Sequence, residues 1–171
     1  VLIHEVEALY QAFSRGLPSP LPELPVQYAD FAAWQRGWLR GEVLEGQIAY
    51  WRRQLAGLPP VLELPTDRPR PAVQGSRGAS REVRLPAELT GWVQALGRRE
   101  GATLFMVLLA GFQSLLARYS GQRDLAVGAP VAGRNRIEIE DLIGFFVNTL
   151  VLRGNLAGNP SFLELLGRSR D

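Results

Sequence analysis

The chain has 171 residues, and its 19 basic and 17 acidic side chains give a formal net charge of +2. It contains no Cys, no Lys and a single histidine, His4, so all 19 of the basic residues are Arg. These counts exclude a disulfide framework, a cysteine nucleophile, a Schiff-base or P-loop lysine, and a zinc site built from cysteines or several histidines. Because basic and acidic residues are mixed along the chain, they do not suggest a nucleic-acid-binding face.

The overall composition is that of a globular protein, with 46% hydrophobic and 21% charged residues. A chain of this length forms one ordinary domain or two small lobes and buries roughly 70% of its unfolded surface. The longest apolar stretch, 104–109, is too short to cross a bilayer, and no secretion signal is visible. We therefore predict a cytoplasmic protein. The chain opens with Val inside a helical pattern, so we expect the native N-terminus to lie upstream.

The N-terminal third predicts three helices. The first spans 2–13 and is followed by an extended stretch at 17–25, which contains four prolines. The second spans 28–39, and the third stops at Gly57. The apolar residues that set the helical spacing of the first and third helices are Leu2, Val6, Leu9, Phe13, Leu44, Ile48, Trp51 and Leu55.

Residues 57–80 predict a connector between two lobes. Five prolines occur between 59 and 71, and glycine and serine dominate the remainder. Such a composition favours an irregular, exposed segment. We expect the basic run at 67–70, which Pro69 interrupts, to be solvated.

Strand and helix patterns are mixed in the second half of the chain. The predicted elements are a strand at 81–85, helices at 89–96 and 104–119, strands at 125–131 and 145–152, and a last helix that begins after the S-x-x-E capping box of Ser161 and Glu164. The helix at 104–119, which Thr103 could cap, is apolar on most faces, and we expect it to be buried. We also expect the strand at 145–152 to be buried. This order of elements predicts an α/β or α+β fold.

Two short segments resemble motifs of one protein family. Residues 26–36, with the letters VQYADFAAWQR, resemble the Y-x-D-F-A-x-W segment of condensation domains of nonribosomal peptide synthetases. Residues 143–149, IGFFVNT, resemble the I-G-x-F-V-N-T segment of the same domains. The segments at 50–51, 62–71 and 130–134 agree with the family in order and spacing.

The resemblance implies a fold and a reaction. The fold is a chloramphenicol-acetyltransferase-like pair of lobes, each an α/β sandwich, which we expect to be incomplete at both ends in this chain. The reaction is the attack of an acceptor aminoacyl amine on a donor aminoacyl or peptidyl thioester, which forms an amide. The partners implied are the donor and acceptor peptidyl carrier protein domains, whose phosphopantetheine arms carry the substrates, and an adjacent adenylation domain. No cofactor bound directly by this chain, no metal, no nucleic acid and no membrane partner is expected.

The sequence departs from the family at its catalytic motif. The H-H-x-x-x-D-G segment that holds the catalytic histidine of condensation domains is absent, and His4 has neither a preceding His nor a following Asp-Gly. We therefore predict that this chain contains no catalytic residue and that it catalyses nothing alone. By resemblance, residues 1–60 form the helical end of an N-terminal lobe, 61–80 the connector and 81–171 the first part of a C-terminal lobe.

Aromatic residues in the first motif are candidates for the substrate tunnel. Tyr28, Phe31 and Trp34 recur at helical spacing, which is typical of core packing, and the resemblance adds a role in shaping the tunnel. Asp30 could cap its helix, pair with an Arg or take part in the site. Gly144 belongs to the second motif.

Polar residues in the second half carry two alternatives each. Asn148 and Thr149 lie within an apolar run and would need hydrogen bonds if buried. Cross-strand bonds could satisfy them, or Asn148 could face the tunnel and orient the thioester or the amine. Arg134, in a loop after a predicted strand, could pair with a carboxylate across the lobe interface or meet a phosphate of the pantetheine arm.

Three other functions stay open from the sequence. An epimerisation or cyclisation domain has the same fold, a non-catalytic module would only dock carrier proteins, and a nucleic-acid binder would use the arginines. The segment before Val1 would decide between the first two and a condensation domain. The sequence does not reveal the amino acids joined, the stereochemistry of the donor, the peptide product or the oligomeric state. The Arg-rich, Lys-free composition suggests a bacterial source, and the family suggests antibiotic or other secondary-metabolite biosynthesis.

Overall fold

The computed structural model describes residues 1–69, 71–73, 75–76 and 78–170. The parts of the connector prediction that fall on Arg70, Gln74 and Arg77 lie outside the described residues, as does Asp171. The end of the basic run at 67–70 is among them.

Helices dominate the described part of the chain. In order, the elements are α1 (Leu2–Phe13), α2 (Tyr28–Trp38), α3 (Gly41–Gln54), α4 (Ala87–Glu100), α5 (Leu104–Ser120), β1 (Asp124–Val131), a 3-10 helix (Ile137–Ile139), β2 (Asn148–Asn155) and α6 (Phe162–Arg170). Strands β1 and β2 pair in a two-stranded sheet. All six α-helices occur where apolar spacing or a capping pattern predicts a helix.

Local capping explains where α5 begins and ends. The Thr103 hydroxyl accepts a hydrogen bond from the Met106 N–H at 3.2 Å, which satisfies one of the free donors of the first turn. At the other end Gly121 adopts a left-handed conformation with φ of 71°, a conformation that costs a glycine little. These two residues make α5 the longest helix among the described residues.

The strand predicted at 81–85 is wrong. These residues form no regular element, and the side chains of Val83 and Leu85 are 77% and 51% exposed. Alternation of apolar residues predicts a strand only if a neighbouring strand supplies the ladder of hydrogen bonds. The sheet in the described part of the chain contains only β1 and β2, so this segment has no such partner there.

The strand predicted at 145–152 begins three residues later than expected, because β2 spans Asn148–Asn155. It is also less buried than predicted, since its first residues are exposed and Gly154 is its only buried position. The prediction was wrong about burial because an apolar run does not distinguish a strand covered on both faces from one that leaves a face open.

The chain divides into two compact units. The first contains Val1–Gln54 and Ala129–Leu150, and the second contains the described residues within Leu55–Gly128 and Val151–Asp171. The core of the first unit consists of Ile139, Leu142 and Phe146, against which Leu24, Val26 and Phe31 pack. The core of the second unit consists of Val107, Ala110, Leu165 and Leu166, with Val93, Leu96, Ala102, Met106 and Leu156 packed against it.

Two helices expose apolar stripes with the 3-4 spacing of a packing surface. The first is the α1 stripe, Ile3, Val6, Tyr10 and Phe13. The second is the α5 stripe, Phe105, Leu108, Phe112, Leu115 and Tyr119. The opposite face of α5 packs against α4 and α6, so the predicted burial of α5 holds for one face only.

Among the described residues, no single helix is long and apolar enough to cross a membrane. The pair α4 and α5, bent by 107° at the break between them, reaches the required length and apolar content together, by length and composition only.

Candidate functional site

Helix α2 brings the two motifs of the sequence together in the first unit. The Tyr28 ring meets the Phe146 ring edge-on with 5.2 Å between centroids, and the Phe31 ring lies 4.8 Å from the Phe146 ring. Trp34 continues the row, 5.8 Å from Phe31. We call Tyr28, Phe31, Trp34 and Phe146 the aromatic cluster. Edge-on and tilted rings of this kind contribute more than their buried area alone.

A hydrogen bond and a glycine complete this contact. The Tyr28 hydroxyl donates to the backbone carbonyl of Phe145 at 3.1 Å. A Cβ built on Gly144 would collide with the Tyr28 ring at Cδ2 and lie 2.9 Å from Cε2 of Phe146. Glycine at 144 therefore lets the Tyr28 ring lie directly against the backbone of the second motif.

Alternation along 143–147 separates a packed side from an open side. Phe146 is 7% exposed and belongs to the aromatic cluster, whereas the Phe145 side chain is 77% exposed. Ile143 and Val147 are also exposed. Because successive side chains of an extended segment point to opposite sides, Ile143, Phe145 and Val147 form an open apolar row next to Asn148.

Asn148 and Thr149 are exposed, contrary to the expectation of a buried pair. The Asn148 Oδ1 atom accepts a hydrogen bond from the Thr149 N–H at 2.8 Å. This bond uses one acceptor of the Asn148 amide, and amides have two donors and further acceptor capacity. Asn148 thus stands at the start of β2 with hydrogen-bonding capacity beyond this local bond.

Asp30 has the geometry of a helix cap. Its Oδ2 atom accepts a hydrogen bond from the Gln27 N–H at 2.8 Å, as part of a capping box at the start of α2. The negative charge also lies in the first turn, where the helix dipole favours it. Asp30 therefore fixes the first turn, which carries Tyr28.

Arg134 is engaged with its own loop in the first unit. Its guanidinium lies 4.2 Å from the centre of the Phe146 ring. Its Nη1 atom donates to the carbonyl oxygens of Ile139 at 2.6 Å and Glu140 at 3.1 Å, which end the 3-10 helix. A cation over a ring face and at a helix C-terminus is favourable in both places. Arg134 therefore closes the loop between β1 and the second motif onto the aromatic cluster.

A cleft next to Trp34 was not predicted from the sequence. Its volume is about 280 Å³. The Arg136 guanidinium lies 4.8 Å from the Trp34 ring centre, and the Trp38 ring stacks on Trp34 at 5.7 Å. The residues that line it are Val26, Asp30, Phe31, Trp34, Arg136, Glu138 and Ile139. The i, i+4 spacing of the two tryptophans was the one available signal, because it places both on one face of α2.

An ion pair in the second unit was also missed. The Arg153 guanidinium donates to both carboxylate oxygens of Asp124, from Nε at 2.8 Å and from Nη2 at 2.5 Å. This hydrogen-bonded Arg153 holds the pKa of the Asp124 carboxyl below its ordinary value, and Asp124 in turn raises the pKa of Arg153. The available signal was an arginine within the apolar run of β2, where a charge needs a partner.

Comparison with known proteins identifies the family. The family described as "Condensation domain" matches residues 1–171, and the chain therefore belongs to the condensation-domain family. The chain is 57% identical over 171 residues to one of the polypeptides of the linear gramicidin synthase of Brevibacillus parabrevis, and it spans 2% of the length of that polypeptide. The recognition made from the two motifs is confirmed.

Solved structures confirm the fold class. The chain is similar to the X-domain from teicoplanin biosynthesis with a TM-score of 0.88 and 30% identity, covering 95% of this chain and 37% of that one. It is also similar to the first condensation domain of the calcium-dependent antibiotic synthetase, with a TM-score of 0.71 and 25% identity over 95% of this chain and 37% of that one. The predicted α/β (α+β) condensation-domain fold is therefore confirmed, and the chain spans well under half of these solved chains.

Proposed function

We propose that this chain is part of a domain that joins a donor aminoacyl or peptidyl thioester to an acceptor aminoacyl thioester through an amide bond. One observation carries the proposal to the level of residues: the aromatic cluster of α2 holds the second motif and leaves Asn148 open beside an apolar row. Membership in the condensation-domain family supports the reaction. The alternatives, an epimerisation or cyclisation domain or a docking module, are not favoured by any described feature.

In this proposal Asn148 orients the thioester or the amine. Thioesters are activated acyl donors, so most of the work is to align two tethered reactants. An exposed amide can donate to the thioester carbonyl or accept from the amine, and Ile143, Phe145 and Val147 exclude water next to it. Tyr28, Phe31, Trp34, Asp30, Gly144 and Arg134 act indirectly, because they hold this segment in place. Thr149 contributes its N–H to orient the Asn148 amide.

The substrates would arrive on phosphopantetheine arms of donor and acceptor peptidyl carrier domains, with an adenylation domain in the same synthetase. The similarity to a linear gramicidin synthase supports these partners in general terms. The division into 1–60, 61–80 and 81–171, the cytoplasmic location and the bacterial source remain predictions. The catalytic histidine motif H-H-x-x-x-D-G does not occur in the 171 residues, so we propose that they are inactive alone.

The test is amide formation from two loaded carrier proteins. The full-length polypeptide that carries this sequence should turn over, and its Asn148→Ala variant should be about tenfold slower, since one lost positioning hydrogen bond is worth about 1.4 kcal/mol. Asn135→Ala, at an exposed asparagine of the same unit, is the matched control and should keep the wild-type rate. Wild-type turnover by Asn148→Ala would remove Asn148 from the site, and turnover by the 171 residues alone would refute their inactivity.

A further inference from the structure

Gln122 lies between α5 and β1 in the second unit, and its backbone is fixed on both sides. The preceding Gly121 caps α5, and the Gln122 N–H donates to the Ser120 hydroxyl at 3.2 Å. Strand β1 begins two residues later at Asp124. The Gln122 side chain therefore starts from a defined position.

The Gln122 carboxamide makes two hydrogen bonds to the backbone of a distant segment. Its Nε2 atom donates to the Val61 carbonyl oxygen at 3.0 Å, and its Oε1 atom accepts from the Glu63 N–H at 2.8 Å. The two bonds flank Leu62, as the bonds of a peptide group in a neighbouring strand would. The side chain thus takes the place of one peptide of such a strand.

The composition of the segment explains why a side chain is needed. Pro59 and Pro60 lack an N–H, so the backbone before Val61 cannot form a continuous ladder. Because the two bonds involve peptide groups only, they select the register of the backbone rather than particular side chains. In this register Leu62 lines a cavity of about 300 Å³ next to Leu125.

A second anchor holds the other end of the same segment. The Arg153 Nη1 atom donates to the Ala56 carbonyl oxygen at 3.0 Å. Asp124 orients this guanidinium through its two hydrogen bonds. Residues 56–63 are therefore fixed at both ends by side chains from β1, β2 and the turn before β1.

We propose that Gln122 is a positioning residue that sets the backbone register of residues 61–63, and with it the point where the predicted connector 61–80 begins. The observation that carries the proposal is the two-point hydrogen bonding of a single carboxamide to the peptides on both sides of Leu62. The inference does not depend on the chemistry of the proposed function. Only its consequence for the rate of amide formation rests on that function.

Hydrogen exchange at the Glu63 amide, measured in the full-length polypeptide that carries this sequence, tests the proposal. Gln122→Met keeps the length and volume of the side chain but neither hydrogen bond, so exchange of this amide should become roughly two- to tenfold faster. Gln122→Glu keeps the acceptor, so the Glu63 amide should stay protected. Gln94→Met, at an exposed glutamine of α4 in the same unit, should leave the exchange unchanged.

A space-filling role for Gln122 predicts the opposite pattern. Wild-type protection of the Glu63 amide in Gln122→Met, or equal loss in Gln122→Met and Gln122→Glu, would overturn the proposal. Amide formation by the same variants is a separate readout. A wild-type rate in Gln122→Met with an unprotected Glu63 amide would overturn the link to the reaction, whereas a lower rate would support it.

Discussion

At the scale of residues, Gly144 decides whether the two motifs can meet. The Tyr28 ring lies where a Cβ at position 144 would be, and Tyr28 also donates to the Phe145 carbonyl. Neither contact survives if the ring must move away. The glycine of the second motif therefore has a steric explanation that concerns Tyr28, 116 positions earlier in the printed numbering.

We predict that Gly144→Ala destabilises the condensation domain that contains these residues by about 1–3 kcal/mol, because overpacking forces the Tyr28 and Phe146 rings apart. Urea unfolding of the purified domain measures the change. Gly91→Ala in α4 is the control, since a Cβ there has nothing within 4 Å and alanine favours a helix. The argument fails if both variants unfold at the wild-type urea concentration or above it.

Asp124 predicts a pH dependence at the same scale. Its pKa is lowered in the folded protein by the hydrogen bonds from Arg153, so the ion pair stabilises the fold above the unfolded-state pKa of about 3.9 and this contribution is lost as the pH falls through the lower, folded-state pKa. Thermal unfolding between pH 6 and pH 3 should therefore show a smaller loss of stability for Asp124→Asn than for the wild type. Because the pair is partly exposed, we expect the difference to be modest. Parallel curves for the two proteins would contradict this account.

At the scale of elements, caps and patterns explain the helices better than the strands. The Ser161 hydroxyl accepts from the Glu164 N–H at 3.3 Å, and the Glu164 carboxylate accepts from the Ser161 N–H at 2.7 Å. The hydrogen bonds that Ser161 donates to this carboxylate lower the pKa of Glu164, and the reciprocal pair forms the capping box that the S-x-x-E spacing predicts. Ser161 is thus a structural cap at the start of α6.

Removal of this cap is the prediction for α6. Ser161→Ala should cost about 1 kcal/mol of stability, because the first turn loses its acceptor, and α6 supplies Leu165 and Leu166 to the core of the second unit. Ser80→Ala, at an exposed serine, is the matched control. Denaturant unfolding of both variants measures the difference, and equal midpoints would show that the cap contributes nothing.

The strands required information that a local pattern lacks. Residues 81–85 alternate as a strand does, yet Val83 is among the most exposed apolar residues described. In 143–155, the apolar run contains an open segment before β2, and only the contact of Phe146 with α2 reveals where the packed side lies. Helices form their hydrogen bonds internally, whereas a strand depends on a partner that is distant in sequence.

At the scale of the whole molecule, exposed apolar surface is the main consequence of the described fold. The α1 stripe and the α5 stripe each present four or five large apolar residues with packing-type spacing. The chain also covers only 37% of solved chains to which it is similar. Apolar patches of this extent usually mark surfaces that another part of a structure covers.

We predict that the 171 residues alone are poorly soluble and bind a hydrophobic dye such as ANS. The double substitution Phe112→Ser with Leu115→Ser, within the α5 stripe, should lower dye binding and aggregation of the isolated chain. Leu166→Ser, at a buried position of the second core, is the control and should increase both. A sharp, cooperative thermal melt of a wild-type monomer would contradict the prediction.

The sequence by itself determined the family, the helices and their caps, because two motifs, apolar spacing and capping residues are local signals. It also identified Tyr28, Phe31, Trp34 and Asn148 as candidates, although not what each of them contacts. Only the tertiary structure decided that Phe146 packs on α2, that Asn148 is exposed, that Arg134 closes its own loop and that Gln122 binds a backbone carbonyl 61 positions away. These features depend on which distant segments meet, and the free energy of such contacts is a property of the packed chain rather than of any window of residues.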